Sequence, residues 1–370
     1  MKRFLKLAAA LITAAVMVSA ASAVVSAGSY DDAFSSLKLS QFAEYKSGSL
    51  KASQLRAFGV DPNGKYYYGG LLQGGSPTVY QFSASDGKAG ATYTFAEDPG
   101  AYIKAIGADD RGYVYMGIAN KANNGAIYFS ICKENGLEEI KWVKIDIPGK
   151  IGVNGACAVK LDGKYYLYIV TNYDTDRLYR YNVTDVNNPT LDTSFGTSSG
   201  YTDLSTFKVT DPNNICVGSD GAIYIAANLG GGSKGDTVLK LDKAGKTQLA
   251  SAAVKEAFGV CIVGEYVASC TYNKNSSQVI ILNQSDLSEV KAVTFDTAQN
   301  FTQLGLIGNK LYIADQGPDA VVVSTPISIP APKADAGASG SAPATADGVS
   351  AAILAASLAA GLVVLVRKKH

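Results

Sequence analysis

The sequence predicts an all-β fold, a six-bladed β-propeller of four-stranded blades, from three observations. Six segments repeat one plan of strand, glycine turn, strand, polar loop and strand. Their turn glycines recur every ~40–60 residues, the spacing of propeller blades. Between residues 28 and 328 no helical periodicity of useful length interrupts them.

The copies run in order along the chain. LRAFGVDPNGKYYYGGLLQGGSPTVYQFSASDGK occupies 55–88 and IKAIGADDRGYVYMGIANKANNGAIYFSICKENG occupies 103–136. ACAVKLDGKYYLYIVTNYDTDRLYRYNVTD (156–185) is the third, and PNNICVGSDGAIYIAANLGGGSKGDTVLKLDKAGK (212–246) the fourth. The fifth spans 257–288 and the sixth 301–327. Gly64, Gly112, Gly163, Gly221, Gly264 and Gly308 mark the first turn of each, where a hairpin needs positive φ. The strand runs are rich in Val, Ile, Tyr and Thr with little polar alternation, as expected of sheets covered on both faces. Outer strands are expected in the gaps, as at Ala91–Phe95 and Lys141–Ile145. The sixth copy lacks one. The spare run Ser36–Phe42 near the N-terminus is expected to supply it and close the ring.

The chain ends carry different signals. Lys2, Arg3 and Lys6 precede a short apolar run, and small residues follow at Ala21-Ser22-Ala23 and Val25-Ser26-Ala27, so residues 1–27 read as a signal peptide with two candidate cleavage sites. Residues 349–366 hold no charge and Arg367-Lys368-Lys369-His370 follows, the pattern of a C-terminal transmembrane helix with a cytoplasmic tail. The Ala/Ser/Pro/Gly tract of 329–348 cannot bury enough surface to fold and reads as a tether. This order of parts resembles Gram-positive surface proteins, in which a sortase joins the Thr of a Leu-Pro-x-Thr-Gly motif to the cell wall. Here Pro343 and Thr345 match, while Ala342 and Ala346 stand at the Leu and Gly positions. The resemblance implies a protein on the outer face of the cell, held by membrane or wall.

Composition narrows the chemistry. A net charge of +1 gives no electrostatic case for a nucleic-acid partner. The one histidine is the terminal His370, which removes imidazole acid–base catalysis, Ser-His-Asp triads and zinc–histidine sites from the propeller. Cys132, Cys157, Cys216, Cys261 and Cys270 are odd in number, form no Cys-x-x-Cys pair and sit mostly in apolar strands, so they read as buried small hydrophobes.

Pro212–Val217 with Gly221–Ala226, and Lys310–Asp315, resemble NHL-type and gluconolactonase-type propeller repeats. In such a fold, first-strand entrances and second-strand exits share a face. That face is expected to collect Asn154, Asn213, Asn214 and Asn300 from the entrances, and Asn120, Asn172, Asn228, Asn273 and Asp315 from the exits, beside Tyr173 and Tyr272. Such a ring can hold a hard cation such as calcium, or hydrogen-bond a sugar stacked on Tyr. Asn and Asp are equally the residues that turns require. The gluconolactonase resemblance implies a metal-dependent lactonase with Asn154 as a ligand. It also implies a Glu on the first blade and an Asp on a later inner strand, and neither Leu55–Phe58 nor Phe258–Cys261 supplies one. The sequence therefore favours a surface module that recognises an extracellular protein or glycan, with the lactonase as the alternative.

Overall fold

The computed structural model describes residues 43–45, 55–71, 78–95, 101–120, 126–146, 151–173, 175–198, 200–228, 236–272, 277–294, 301–308, 310–315 and 322–326. The expected signal peptide, the run Ser36–Phe42, the expected tether with Pro343 and Thr345, the apolar C-terminal run, Asn273 and Asn300 lie outside them. Among the described residues no helix is long and apolar enough to cross a membrane.

The chain starts with β1 (Ala43–Tyr45) and then lays down antiparallel sheets in succession. Blade 1 is β2 (Leu55–Val60), β3 (Tyr66–Leu71), β4 (Thr78–Ser83) and β5 (Ala89–Thr94). Blade 2 is β6 (Ala101–Ala108), β7 (Tyr113–Asn120), β8 (Ala126–Lys133) and β9 (Glu138–Asp146). β10 (Ile151–Leu161), β11 (Lys164–Tyr173), β12 (Arg177–Asn182), β13 (Thr190–Leu191) and β14 (Tyr201–Asp203) make the next sheet. Blade 4 is β15 (Pro212–Val217), β16 (Ile223–Ala227), β17 (Thr237–Leu241) and β18 (Gln248–Ala253). Blade 5 is β19 (Ala257–Val263), β20 (Tyr266–Thr271), β21 (Gln278–Asn283) and β22 (Glu289–Thr294). The last holds β23 (Phe301–Ile307), β24 (Lys310–Asp315) and β25 (Val322–Pro326), with β1 on the outside. β2, β6, β10, β15, β19 and β23 are neighbours in that order, and β23 returns to β2. The fold is an all-β propeller.

Two expectations need correction. Five of the sheets are four-stranded and the third has five strands. Its outer edge is split: β13 pairs with one end of β12 and β14 with the other. A 3-10 turn, Leu204–Phe207, then leads out of it, its first turn capped by the Asp203 carboxylate. The closing N-terminal strand is Ala43–Tyr45, paired Ala43↔Ser324 to Tyr45↔Val322, just beyond the run the sequence suggested. A lone short strand has no hairpin partner to fix its register, so its position is set by the blade that receives it.

The turn glycines behave as expected. Gly64, Gly112, Gly163, Gly221, Gly264 and Gly308 have φ of 76°, 82°, 78°, 86°, 59° and 58°. The core is divided among the seams, each with its own apolar cluster, such as Tyr168, Leu178, Ile215 and Ile225 between blades 3 and 4. Burial on both faces, complete along β16, explains why polar alternation is missing from the sequence.

Candidate functional site

Each inner strand carries a β-bulge at the same step near its entrance. The register slips between Leu55 and Ala57, Ile103 and Ala105, Val153 and Gly155, Pro212 and Asn214, Ala257 and Gly259, and Phe301 and Gln303. One extra residue is left at each slip, and a bulge re-aims that side chain. The resulting ring reads Arg56, Lys104, Asn154, Asn213, Phe258 and Thr302. The pairings Gly152↔Asn172, Pro212↔Ala227 and Phe301↔Asp315 put the ends of the second strands on the same face.

Arg56 reaches across this mouth. Its Nη2 donates to Asn213 Oδ1 on the opposite blade at 3.2 Å, and its Cζ lies 4.1 Å from the Phe258 ring centroid. Phe258 in turn lies 5.0 Å from the Tyr272 ring, tilted by 31°. Tyr272 is thus joined to the mouth through Phe258. Lys104, on the neighbouring blade, is buried. Its carbonyl accepts from Gln303 Nε2 at 3.3 Å.

The expected asparagines divide by role. Asn214 is a strut between blades: its Oδ1 accepts the Val260 N–H at 3.1 Å, as Gln303 Oε1 accepts the Phe58 N–H at 2.6 Å across the closing seam from β23 to β2. Gly155 and Gly259 face these two residues. A Cβ on Gly155 would come within 2.8 Å of Asn214 Cα, and one on Gly259 within 2.7 Å of Gln303 Cα. Asn228 is buried and its backbone N–H donates to the Asp211 carbonyl at 3.3 Å. Asp315 is fully buried at the end of β24. Tyr173 is paired by its backbone with Ile151.

Asn154 and Asn172 converge with Asp211, which the sequence did not single out, and with Asp176, which the sequence shows only as part of the acid pair in Asp174-Thr175-Asp176, without the ligand series of an EF-hand. Asn154 Nδ2 donates to the Pro212 carbonyl at 3.0 Å, and Asn172 Nδ2 to Asp211 Oδ1 at 2.5 Å. The Asp211 N–H donates to Asp176 Oδ1 at 3.0 Å, with Asp211 held at φ 48°. Among the described residues, the Oδ1 atoms of Asn154 and Asn172 and the hydroxyls of Thr175 and Thr210 are buried without a hydrogen-bond partner. Burial, with Asp211 nearby, raises the Asp176 carboxyl above its usual range.

Below the mouth the inner strands line a cavity of ≈ 360 Å³. At one level it is bordered by Gly59, Gly107, Cys157, Cys216, Cys261 and Gly305. Tyr68, Tyr115, Tyr168, Tyr224 and Tyr312 stand opposite five of these, and Ala268 opposite Cys261. All five cysteines of the chain are free thiols.

The metal implied by the gluconolactonase resemblance does not fit these residues. Where a first-blade carboxylate would stand, the bulge ring presents Arg56, and Lys104 follows it. The Arg56 guanidinium at the mouth opposes a divalent ion there.

No family model and no curated protein matches the sequence. Among solved structures, it is similar to a protein of unknown function from Bacteroides caccae, at 13% identity over 68% of this chain and 83% of that one, with a TM-score of 0.48. It is also similar to BamB from Moraxella catarrhalis (15% identity, 73% and 82% covered, TM-score 0.42). A third likeness is to Kuenenia stuttgartiensis hydrazine synthase (14% identity, 72% and 75% covered, TM-score 0.48). These likenesses carry no functional argument.

Proposed function

We propose that this chain is a cell-surface recognition module that captures an acidic glycan at the mouth of its propeller. The observation that supports this reading is the Arg56 guanidinium, stretched across the mouth between Asn213 and Phe258. Guanidinium is the side-chain group best matched to a carboxylate or sulfate. Tyr272, beside Phe258, gives a flat surface for a sugar ring. The bulges place these groups on rigid strands, where they need little ordering when a ligand arrives. The lactonase alternative lacks such support, since the Arg56 guanidinium occupies the mouth.

Display outside the cell follows from the chain ends: signal peptide, tether, and apolar span with a basic tail. Thr345 is the proposed wall-attachment point. If the intact chain, still carrying Arg367 to His370, leaves cells with detergent alone, the anchor is the membrane instead.

A glycan array probed with the purified chain tests the ligand. Binding should be confined to carboxylate- or sulfate-bearing glycans, weaken with salt, and fall at least about tenfold in Arg56→Ala. Equal binding of neutral glycans, or binding unchanged in Arg56→Ala, rejects the reading.

A further inference from the structure

The seam between blades 3 and 4 holds four of the buried side-chain atoms that lack a hydrogen-bond partner among the described residues. They are Asn154 Oδ1, Asn172 Oδ1, Thr175 Oγ1 and Thr210 Oγ1, and all are oxygens. Asn154 and Asn172 are only 2% and 3% exposed. Buried polar atoms are normally paired, so four of them along one seam call for an occupant.

Hydrogen bonds already present fix what that occupant can be. Both amides spend an N–H on the chain at residues 211 and 212. Their Oδ1 atoms are therefore turned away as acceptors, and an acceptor needs a donor or a cation. The Asp176 carboxylate accepts from the Asp211 backbone N–H, which brings the two aspartates to the same part of the seam. Thr210 and Thr175 precede these two aspartates in sequence. Carboxylates, amide oxygens and hydroxyls from three stretches of chain at this seam form an all-oxygen set of the kind that hard cations take.

We infer that Asp176, Asp211, Asn172, Asn154, Thr175 and Thr210 form a calcium-class cation site in the seam, set off from the propeller axis. The site is separate from the proposed glycan-binding mouth. Asn213 stands between the two: its Oδ1 accepts from Arg56, and its Nδ2 donates to the Asp211 carbonyl at 3.0 Å. Calcium suits the set better than magnesium, because the donors come from two loops and an amide pair rather than from a tight octahedron. By charge count and loop placement the affinity belongs to the extracellular range, with a dissociation constant of about 10⁻⁴–10⁻³ M.

The test uses the full-length chain, stripped with a chelator and titrated with calcium chloride, then with magnesium chloride, by calorimetry and thermal melting. One calcium per chain should bind within that range, with magnesium weaker. Asp176→Asn keeps the acceptor for the Asp211 N–H but removes a charge, and should weaken binding at least about tenfold. Asn172→Asp adds a third carboxylate and should tighten it. Circular dichroism confirms that each variant is folded. A wild-type chain that binds no calcium up to about 10 mM, well past the expected range, means that the seam holds water only and overturns the site. So does calcium binding that is unchanged in Asp176→Asn and not tightened in Asn172→Asp. Because the titration uses the metal alone, failure here leaves the glycan reading to its own experiment.

Discussion

At the scale of single residues, Arg111 shows how a turn can become a fastening. Its guanidinium meets the buried Asp109 carboxylate at 2.7 Å, donates to the Val183 and Thr184 carbonyls of the next blade, and lies 3.7 Å from the Tyr165 ring centroid. Arg111→Ala leaves Asp109 without its cation and strips two carbonyls of a donor. Denaturant unfolding should show a loss of about 3 kcal/mol. Lysine, a single-point donor, should restore only part of it. The thiols offer a second check at this scale. Burial pushes Cys157 to about 11 and Cys132 and Cys270 to about 12, and drives Cys216 and Cys261 well above their ordinary value. At pH 8 roughly a thousandth of Cys157 is thiolate, so Ellman's reagent should find no fast thiol in the native chain and all five in denaturant. A native thiol that reacts within seconds would contradict that burial.

At the scale of elements, the inner strand and its bulge decide which side chain does what. Asn213 and Asn214 are neighbours in sequence, yet one accepts from Arg56 across the mouth and the other ties β15 to β19. A bulge changes facing within a single step, and residue type carries no record of it. That is why Asn214 was legible as a polar residue at the right end of the strand but not as a strut. The bulge ring itself was hidden because Arg, Lys, Asn, Asn, Phe and Thr share no chemistry. Only the small or amide residue that follows each one repeats. The turn glycines, by contrast, were readable because positive φ admits few residues. The seam cluster was out of reach, since Thr175, Asp176 and Thr210 meet only after two blades pack. The strut assignment has its own test. Asn214→Ala and Gln303→Ala each leave a buried N–H unpaired and should cost about 1–3 kcal/mol in urea unfolding. They serve different seams, so the double variant should add to within about 0.5 kcal/mol. A larger departure would show that strain passes around the ring.

At the scale of the whole molecule, the ring is closed by chain segments from opposite ends of the propeller. β1 completes the last sheet, and Tyr67 and Tyr312 pack at 5.3 Å across the adjoining seam. Deleting Ala43–Tyr45 exposes an edge of β25 without touching any side chain of the mouth. Thermal melting should register a fall of roughly 2–6 °C, while ligand binding at the mouth persists. Loss of binding together with the melting shift would mean that the mouth depends on closure.

That closing sheet also sets how the domain would answer a mechanical load. Tension drawn through the chain beyond Pro326 falls first on β25. This strand is bonded along one edge to β24 and along the other to β1. An edge strand peels away one rung at a time, but a strand gripped on both sides must break its rungs together in shear. A propeller held from its C-terminal side would meet that load at a strand with a hydrogen-bonded neighbour on each edge. The N-terminal segment is then a brake on forced unfolding, and its removal should show in a pulling experiment as a drop in rupture force.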